Sequence, residues 1–276
     1  MAATDVQDDV SERNADFWDE LCGTQLARQL GITDNSPASL RRFDAWYFDF
    51  YPYLVEHIPF HDMRGKDVLE VGLGYGTVSQ RIAEAGARYC GLDIAAGPVA
   101  MANHRLRLLG LPEGAVRGSI LEAPFADATF DCVVAIGCLH HTGDLKRAID
   151  EAHRLLRPGG KLVFMVYYAY SWRRWRQSFA ETRSLLLREL RGHRGVAGLG
   201  DARQRAAYDV NAEGDAAPHT DWISRRSLRH LCARFGRFES RLENFDAMRS
   251  PLTRERLMAA RVPRLLGLDL YATATK

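Results

Sequence analysis

From about residue 66 to residue 168 the chain alternates short apolar runs with segments of helical periodicity. The apolar runs have the length and composition of buried β-strands, and they fall at residues 67–71, 87–93, 130–136 and 161–167. Amphipathic segments typical of helices lie between them, at residues 77–85 and 145–156. Strands that alternate with helices in this way favour an α/β fold with a parallel sheet.

Three glycines follow the first apolar run directly. Gly72, Gly74 and Gly76 stand between the strand and the helical segment that begins at Thr77. Glycines this close together let backbone N–H groups turn tightly and approach a ligand, because no Cβ is in the way. The N-terminus of the following helix adds a partial positive charge at the same place. The stretch predicts a turn that cradles a nucleotide; the alternative is a glycine-rich turn that binds nothing.

The spacing of these glycines separates two kinds of nucleotide site. A dinucleotide fingerprint needs Gly-x-Gly-x-x-Gly, but Thr77 occupies the position of its third glycine. The spacing here is Gly-x-Gly-x-Gly, and the acidic Glu70 lies inside the strand just before it. A second acid, Asp93, closes the next apolar run, where a carboxylate can accept hydrogen bonds from both ribose hydroxyls. The alternative for Asp93 is a helix cap.

Residues 70–76, Glu-x-Gly-x-Gly-x-Gly, resemble the first motif of class I S-adenosylmethionine-dependent methyltransferases. Leu139-His140-His141 and the Leu-Arg-Pro-Gly-Gly turn at residues 156–160 resemble the ubiquinone/menaquinone methyltransferase group. The resemblance covers about residues 66–168. It implies a Rossmann-like sheet of seven strands, mostly parallel with the last strand antiparallel, and helices on both faces. The sixth and seventh strands would be residues 238–243 and 268–274.

The same resemblance implies S-adenosylmethionine as the cofactor, with S-adenosylhomocysteine as the product. The family normally has an Asp after the third strand that contacts the adenine amino group, and this chain departs from the pattern with Ser119. Serine can still accept a hydrogen bond, but it is shorter and uncharged. The implied cofactor-binding residues are Glu70, Gly72, Gly74, Gly76, Asp93, Ile94, Ser119, Ile120, Gly137, Tyr47 and Tyr51.

Residues 1–65 are expected to form a helical cap on a core of residues 66–276. The acidic residues 1–10 are expected to be disordered, and Ser36-Pro37 has the N-cap and N1 proline that open a helix. That helix carries a dense aromatic cluster, and part of the cluster, including Tyr47 and Tyr51, should line the pocket. The alternative is that these rings only dock the helix on the sheet.

Two insertions interrupt the expected core, a lid at about residues 168–222 and a smaller one at about residues 248–264. Residues 172–190 predict a single helix with one apolar face and one arginine-rich face. The apolar face would contain Trp172, Trp175, Phe179, Leu186 and Leu190. The simplest interpretation is a lid helix with a solvated basic face. Recognition of an anionic substrate group and contact with a membrane surface are the alternatives.

The resemblance implies methyl transfer, and the histidines are the candidate catalytic residues. The sulfonium already activates the methyl group, so the enzyme has mainly to align the reactants in line and to remove a proton from a hydroxyl or amine acceptor. Histidine suits that step because its pKa lies near neutral pH. The candidates are His140, His141 and His219; alternatively, the paired histidines only pack or fix their turn.

We therefore expect methylation of an oxygen or nitrogen of a bulky or anionic small molecule of a biosynthetic pathway. One alternative is a nucleic-acid methyltransferase, although the fourth strand lacks the Asn-Pro-Pro-Tyr and Pro-Cys signatures of those enzymes. The other is a protein of this fold that binds S-adenosylmethionine without transferring methyl.

Composition adds few constraints on the partners and the cellular location of the chain. The formal net charge of +2 does not require a polyanionic partner. The five cysteines form no Cys-x-x-Cys pair, which indicates neither a zinc site nor a disulfide framework. The chain has no uncharged apolar stretch long enough for a membrane span and no visible signal peptide. We expect a cytoplasmic protein without a metal, as a monomer or a homodimer.

Overall fold

The computed structural model describes residues 3–20, 24–245 and 252–276. The described strands are β1 (Asp67–Val71), β2 (Arg88–Asp93), β3 (Ala115–Arg117), β4 (Phe130–Ile136), β5 (Leu156–Tyr168), β6 (Trp222–Ile223), β7 (Arg237–Glu243) and β8 (Asp269–Thr275). The described helices are α1 (Ala3–Asp19), α2 (Thr24–Gln29), α3 (Pro37–Phe50), α4 (Leu54–His57), α5 (Thr77–Glu84), α6 (Ala96–Leu108), α7 (Leu145–Leu155), α8 (Trp172–Gln177), α9 (Phe179–Leu190), α10 (Ala202–Ala206), α11 (Arg225–Leu231), α12 (Arg254–Ala259) and α13 (Pro263–Leu266).

The strands form one mixed sheet in the order β3-β2-β1-β4-β5-β8-β7. The pairs from β3 to β5 are parallel, and β8 runs antiparallel to both of its neighbours. The predicted Rossmann-like sheet with an antiparallel last strand is confirmed. One strand was not predicted: the two-residue β6 pairs with β5 where the chain returns from the insertion.

Alternating side chains of the central strands enter two apolar clusters. In β4, Val133 belongs to one cluster and Val134 to the other. In β5, Leu162 and Val163 divide in the same way. A strand covered on both faces must be apolar at every position, which explains why these strands appear in the sequence as continuous apolar runs.

The prediction of disorder is wrong for residues 3–10, because α1 runs from Ala3 to Asp19. Its polar side chains bond to the turn after β4: the Gln7 amide donates to the carbonyl of Thr142 at 2.8 Å. Such contacts join residues far apart in the chain, so they leave no local signal. The sequence also predicts a break between two short helices at Cys22 and Gly23, and these residues lie outside the described part of the chain.

The single helix predicted at residues 172–190 is also wrong. The chain breaks at Ser178 into α8 and α9, and α9 buries Thr182, Leu185 and Glu189. Phe179 and Leu190, predicted on the inner face, are 60% and 71% exposed. Polar contacts decide which face of α9 is buried, because the hydroxyls of Ser224 and Ser227 both donate to Glu189, at 2.5 Å each, and Glu189 therefore faces the interior.

In the described part of the chain, no helix combines the length and apolar character that crossing a bilayer requires. The smaller insertion contains α12 and α13, and residues 248–251 of it lie outside the described part.

Candidate functional site

A cavity of about 480 Å³ lies at the carboxyl ends of β1, β2 and β4. This volume is within the range of small-molecule sites, about 300–1,000 Å³. The strand order reverses between β1 and β4, and open α/β sheets bind their ligands at such a switch point. The sheet topology therefore places the cavity where a ligand is expected.

The three glycines shape the floor of the cavity. Gly72 has φ +77°, and a Cβ added there would lie 2.4 Å from Cβ of Cys138. Gly76 has φ +72°, and its added Cβ would lie 2.8 Å from Cδ of Arg105. Both positions combine a left-handed backbone with no room for a side chain, so the loop needs glycine for conformation and for packing.

A buried ion pair fastens the cap helix α3 beneath this loop. Arg105 of α6 is fully buried and donates to both carboxylate oxygens of Asp44, at 2.8 and 3.0 Å. The hydroxyl of Thr77 donates to the same carboxylate at 2.6 Å. None of these three side chains was predicted to interact, because the pair joins α3 and α6 across the fold.

Asp93 braces the glycine loop from the neighbouring strand. Its carboxylate accepts hydrogen bonds from the backbone N–H groups of Leu73, at 2.7 Å, and Ala95, at 2.9 Å. Burial raises the pKa of Asp93. Each carboxylate oxygen can accept a second hydrogen bond, so the ribose role stays a prediction alongside the observed bracing role.

Glu70 lies below the loop and lines the cavity. The hydroxyls of Ser79 and Tyr89 donate to one of its oxygens, at 2.5 and 2.9 Å. Burial is the largest influence on this carboxyl and raises its pKa to about 8. Glu70 thus ties α5 and β2 to the base of the loop.

The other predicted cofactor residues meet in the same cavity, with one exception. Those in its wall are Glu70, Gly72, Gly74, Asp93, Ile94, Ser119, Ile120, Gly137, Tyr47 and Tyr51. Gly76 lies behind the loop against Arg105. The Ser119 hydroxyl accepts from the N–H of Leu121 at 3.1 Å, so this side chain caps a turn at the position where the family has its Asp.

The three candidate histidines have different surroundings. His140 is fully buried against the ring of Tyr167, at 4.2 Å between centroids, and is not part of the cavity wall. Burial holds the pKa of His140 well below its ordinary value. His219 is also outside the wall, and its ring faces Asp221 at 3.3 Å. Only His141 of the three lines the cavity.

His141 is held in one tautomer by its hydrogen bonds. Its Nδ1 lies 2.6 Å from the carbonyl oxygen of His219, and a carbonyl can only accept, so Nδ1 carries the proton. Nε2 of the neutral ring then has a lone pair, and it lies 3.6 Å from a carboxylate oxygen of Asp209. Burial lowers the pKa of His141, although Asp209 opposes this.

Asp209 is a site residue that sequence reasoning missed. It lies in a Gly- and Ala-rich part of the insertion, and it reaches the cavity only because the insertion folds back over the sheet. The hydroxyl of Tyr167 donates to it at 3.0 Å. Burial raises the pKa of Asp209. No local pattern marks this residue.

The far wall of the cavity is formed by α1 and by residues 208–211 of the insertion. Trp18 lies 4.9 Å from the ring of His141, and the amide of Asn14 donates to the His141 carbonyl at 2.6 Å. The Glu20 carboxylate accepts from the N–H of Ala212 at 2.6 Å, which joins α1 to the insertion. The division into a cap, a core and a movable lid stays a prediction.

Comparison with known proteins gives this geometry its family. Residues 69–164 match the model of a methyltransferase domain. The demethylmenaquinone methyltransferase of Tropheryma whipplei (strain Twist) is 32% identical over 100 residues, which are 36% of this chain and 41% of that protein. Residues 69–164 form a class I S-adenosylmethionine-dependent methyltransferase domain. The predicted resemblance is confirmed, and S-adenosylmethionine is the cofactor of this methyltransferase domain.

The sequence matches cover only part of this chain and only part of each relative. The 27-O-demethylrifamycin SV methyltransferase of Amycolatopsis mediterranei (strain S699) is 32% identical over 152 residues, which are 54% of this chain and 53% of that protein. The chain thus spans between two fifths and about half of the length of these relatives. The structure of an S-adenosylmethionine-dependent methyltransferase from Mesorhizobium loti superposes with a TM-score of 0.53 at 18% identity, over 82% of this chain and 97% of that one. That similarity shows the fold.

The floor of the cavity fits the cofactor of the family. The loop has no room for a Cβ at Gly72 or Gly76, and the buried carboxylates of Glu70 and Asp93 stand beside it. Within the described residues, no cluster of His, Cys, Asp and Glu has the make-up of a metal site. The role of each individual cofactor-binding residue stays a prediction.

Proposed function

We propose that this chain transfers a methyl group from S-adenosylmethionine to an oxygen or nitrogen of a small-molecule acceptor, with His141 as the general base. The observation that carries the proposal is the tautomer of His141. Its Nδ1 proton is committed to the His219 carbonyl, and its buried Nε2 has no hydrogen-bond partner among the described residues. A basic nitrogen is thereby left without a partner in a residue that lines the methyltransferase cavity.

Bound S-adenosylmethionine supplies a methyl group on a sulfonium, and the carbon–sulfur electron pair stays with sulfur when the acceptor atom bonds to the methyl carbon. The chain's own task is to bind, align and deprotonate. The glycine loop and Asp93 shape one end of the cavity, and the half-buried rings of Phe17 and Trp18 stand at the other. His141 Nε2 would take the proton that the acceptor hydroxyl or amine loses.

The relatives support a small-molecule acceptor, because those named above are methyltransferases of demethylmenaquinone and of 27-O-demethylrifamycin SV. We extend this to a bulky metabolite of a biosynthetic pathway. The test is to incubate the full chain with S-adenosylmethionine and a panel of hydroxyl- and amine-bearing metabolites, and to measure acceptor-dependent S-adenosylhomocysteine. Cofactor binding without product from any acceptor would favour the alternative of a protein that does not transfer methyl.

His141→Gln should lower kcat by about 10²- to 10⁴-fold, the usual contribution of a general base, and leave the affinity for S-adenosylhomocysteine unchanged. His61→Gln is the matched control, since that ring is 79% exposed. Equal kcat in the His141 variant and the control would remove His141 from the mechanism.

The pH dependence of kcat should follow the same residue. Asp209, Asp221, His140 and His219 face His141, and burial still lowers its pKa. Because the neutral ring is the base, kcat should persist as the pH falls to the ordinary histidine value, about 6.5, and should decline only below it. A decline that begins well above about pH 6.5 would point to a different base.

A nucleic-acid acceptor remains the second candidate, because the insertion is rich in arginine. It predicts activity or binding that falls steeply as the salt concentration rises. A shallow salt dependence would leave the small-molecule proposal alone.

A further inference from the structure

The charges in the cavity wall differ from those an anionic acceptor requires. Four carboxylates line the cavity, those of Glu20, Glu70, Asp93 and Asp209, and none of the described lining residues is Arg or Lys. Glu70 and Asp93 belong to the glycine-loop end of the cavity. Glu20 and Asp209 stand at the other end, the acceptor end, where Asp209 lies beside His141. Arg28 lies 3.9 Å from Glu20 and the charge of Arg173 acts on Asp209, but neither arginine belongs to the described wall.

Arg173 and Arg174 of the insertion make their contacts within the insertion and with β6. Arg173 donates to the carbonyl of Ala207 and lies over the ring of Tyr208, 4.7 Å from its centroid. Arg174 is buried over the ring of Trp222, at 4.4 Å. Arg173 thus packs α8 on residues 207–208, Arg174 packs α8 on β6, and neither lines the cavity. The expectation that they recognise an anionic acceptor has no support in this geometry.

Asp209 is placed to act on His141. Its carboxylate oxygen lies 3.6 Å from His141 Nε2, and the Tyr167 hydroxyl fixes its orientation. The segment that carries it is anchored by its neighbours: the N–H of Ala217 donates to the Asp209 carbonyl at 3.1 Å. A fixed negative charge at this distance stabilises the imidazolium form of His141, which arises when the ring takes the proton of the acceptor.

We propose that Asp209 makes this site selective for a neutral aromatic hydroxyl compound, by supporting His141 as proton acceptor and by repelling anions. This inference rests on the proposed function and names its substrate class. The acceptor O–H proton passes to His141 Nε2 as the oxygen electron pair forms the new bond, and the resulting imidazolium lies beside the Asp209 carboxylate. The half-buried rings of Phe17 and Trp18 in the wall offer faces on which a planar acceptor can stack.

An amine acceptor fits less well for a physical reason. An ammonium group beside Asp209 would be stabilised in its charged form, and that form has no lone pair with which to attack the methyl carbon. A neutral hydroxyl keeps its lone pairs in the same field. A carboxylate or phosphate near Asp209 would be repelled, because like charges brought together in a desolvated site cost several kcal/mol.

The experiment measures binding of three naphthalene probes by calorimetry to the full chain saturated with S-adenosylhomocysteine. The probes are 2-naphthol, 2-naphthoate and 2-naphthylmethylammonium, which share a ring system and differ in charge. We expect 2-naphthol to bind at least about tenfold more tightly than 2-naphthoate. Asp209→Asn should reduce that ratio to less than about threefold. Asp215→Asn, an exposed residue of the same insertion, should leave the ratio unchanged.

A kinetic readout separates support of His141 from a purely structural role. With a neutral hydroxyl acceptor, Asp209→Asn should lower kcat by about tenfold or more while KM and the affinity for S-adenosylhomocysteine change little. A loss of cofactor affinity would instead indicate damage to the fold.

Three results would overturn the inference: 2-naphthoate binding as tightly as 2-naphthol, the ammonium probe binding most tightly, or no 2-naphthol binding at about 1 mM. Each of these outcomes requires that S-adenosylhomocysteine binds. If S-adenosylhomocysteine does not bind, the proposed function itself fails. Failure of the proposed function is thereby distinguished from failure of the inference about Asp209.

Discussion

The two ends of the cavity are built in different ways. The cofactor end, where we propose that the cofactor binds, comes from consecutive chain: β1, the glycine loop and α5, with Asp93 at the end of the next strand. The acceptor end, where we propose that the acceptor binds, brings together α1, the turn after β4 and residues 208–211, which are widely separated in the chain. One end follows from a local motif that needs glycine and an acid at fixed spacing. The other exists only after the sheet has formed and two peripheral segments have folded onto it.

Substitution in the glycine loop should have the largest effect and should test the cofactor end alone. Gly72→Ala adds a Cβ that would lie 2.4 Å from Cβ of Cys138, on a backbone with φ +77°. Backbone strain of about 1–2 kcal/mol and overpacking of about 1–3 kcal/mol should together weaken S-adenosylhomocysteine binding by about 100-fold, as measured by calorimetry.

Gly110→Ala is the matched control for that experiment. Gly110 has φ +69° and no atom within 4 Å of an added Cβ, so the variant carries the backbone strain without the collision. It should bind S-adenosylhomocysteine as the wild type does. Binding by the Gly72 variant within about threefold of this control would mean that the loop is not the cofactor cradle.

Removal of a single hydrogen bond should weaken the acceptor end by a smaller amount. Asn14→Ala leaves the buried carbonyl of His141 without the donor that now lies at 2.6 Å, at a cost of about 1–3 kcal/mol. The Tm should fall by about 2–4 °C per kcal/mol, as measured by a thermal melt. Arg13→Ala, which removes an exposed ion pair with Asp9 on the same helix, should change the Tm little. Equal shifts in the two variants would show that α1 does not form part of the site in solution.

Glu70 should give a pH dependence of folding stability. Its pKa is raised from 4.5 to about 8 in the folded chain, so the folded state binds more protons than the unfolded state between these values. Stability from this group is present at low pH and declines as the pH rises, by up to about 1.4 kcal/mol per pH unit. Glu70→Gln should remove that decline, as measured by urea unfolding at several pH values. Glu113→Gln, an exposed residue, should keep it, and a decline that persists in the Glu70 variant would assign it to other groups.

The sequence could not predict which of the paired histidines lines the cavity. His140 and His141 are adjacent and equivalent in the motif, yet one is buried behind the wall and the other lines the cavity. The turn after β4 decides which ring points to the ligand, and the His219 carbonyl decides which nitrogen of His141 is basic. Adjacent identical residues carry no signal that separates them.

The sequence also could not predict which face of α9 is buried. Its apolar residues suggested an inner face at Phe179 and Leu190, but the buried face is set by Glu189 and its two serine partners. A buried carboxylate with hydroxyl donors is satisfied and can be packed, and periodicity of apolar residues does not reveal it.

What the sequence by itself determined was the parallel core, the glycine cradle and the methyltransferase family, because these depend on short-range spacing and on strands that are apolar at every position. Only the tertiary structure decided the acceptor end: the helical start of the chain, the exposed face of α9, and the meeting of His141 with Asp209. Those features depend on polar contacts between distant segments, and such contacts form only once the sheet has brought the segments together.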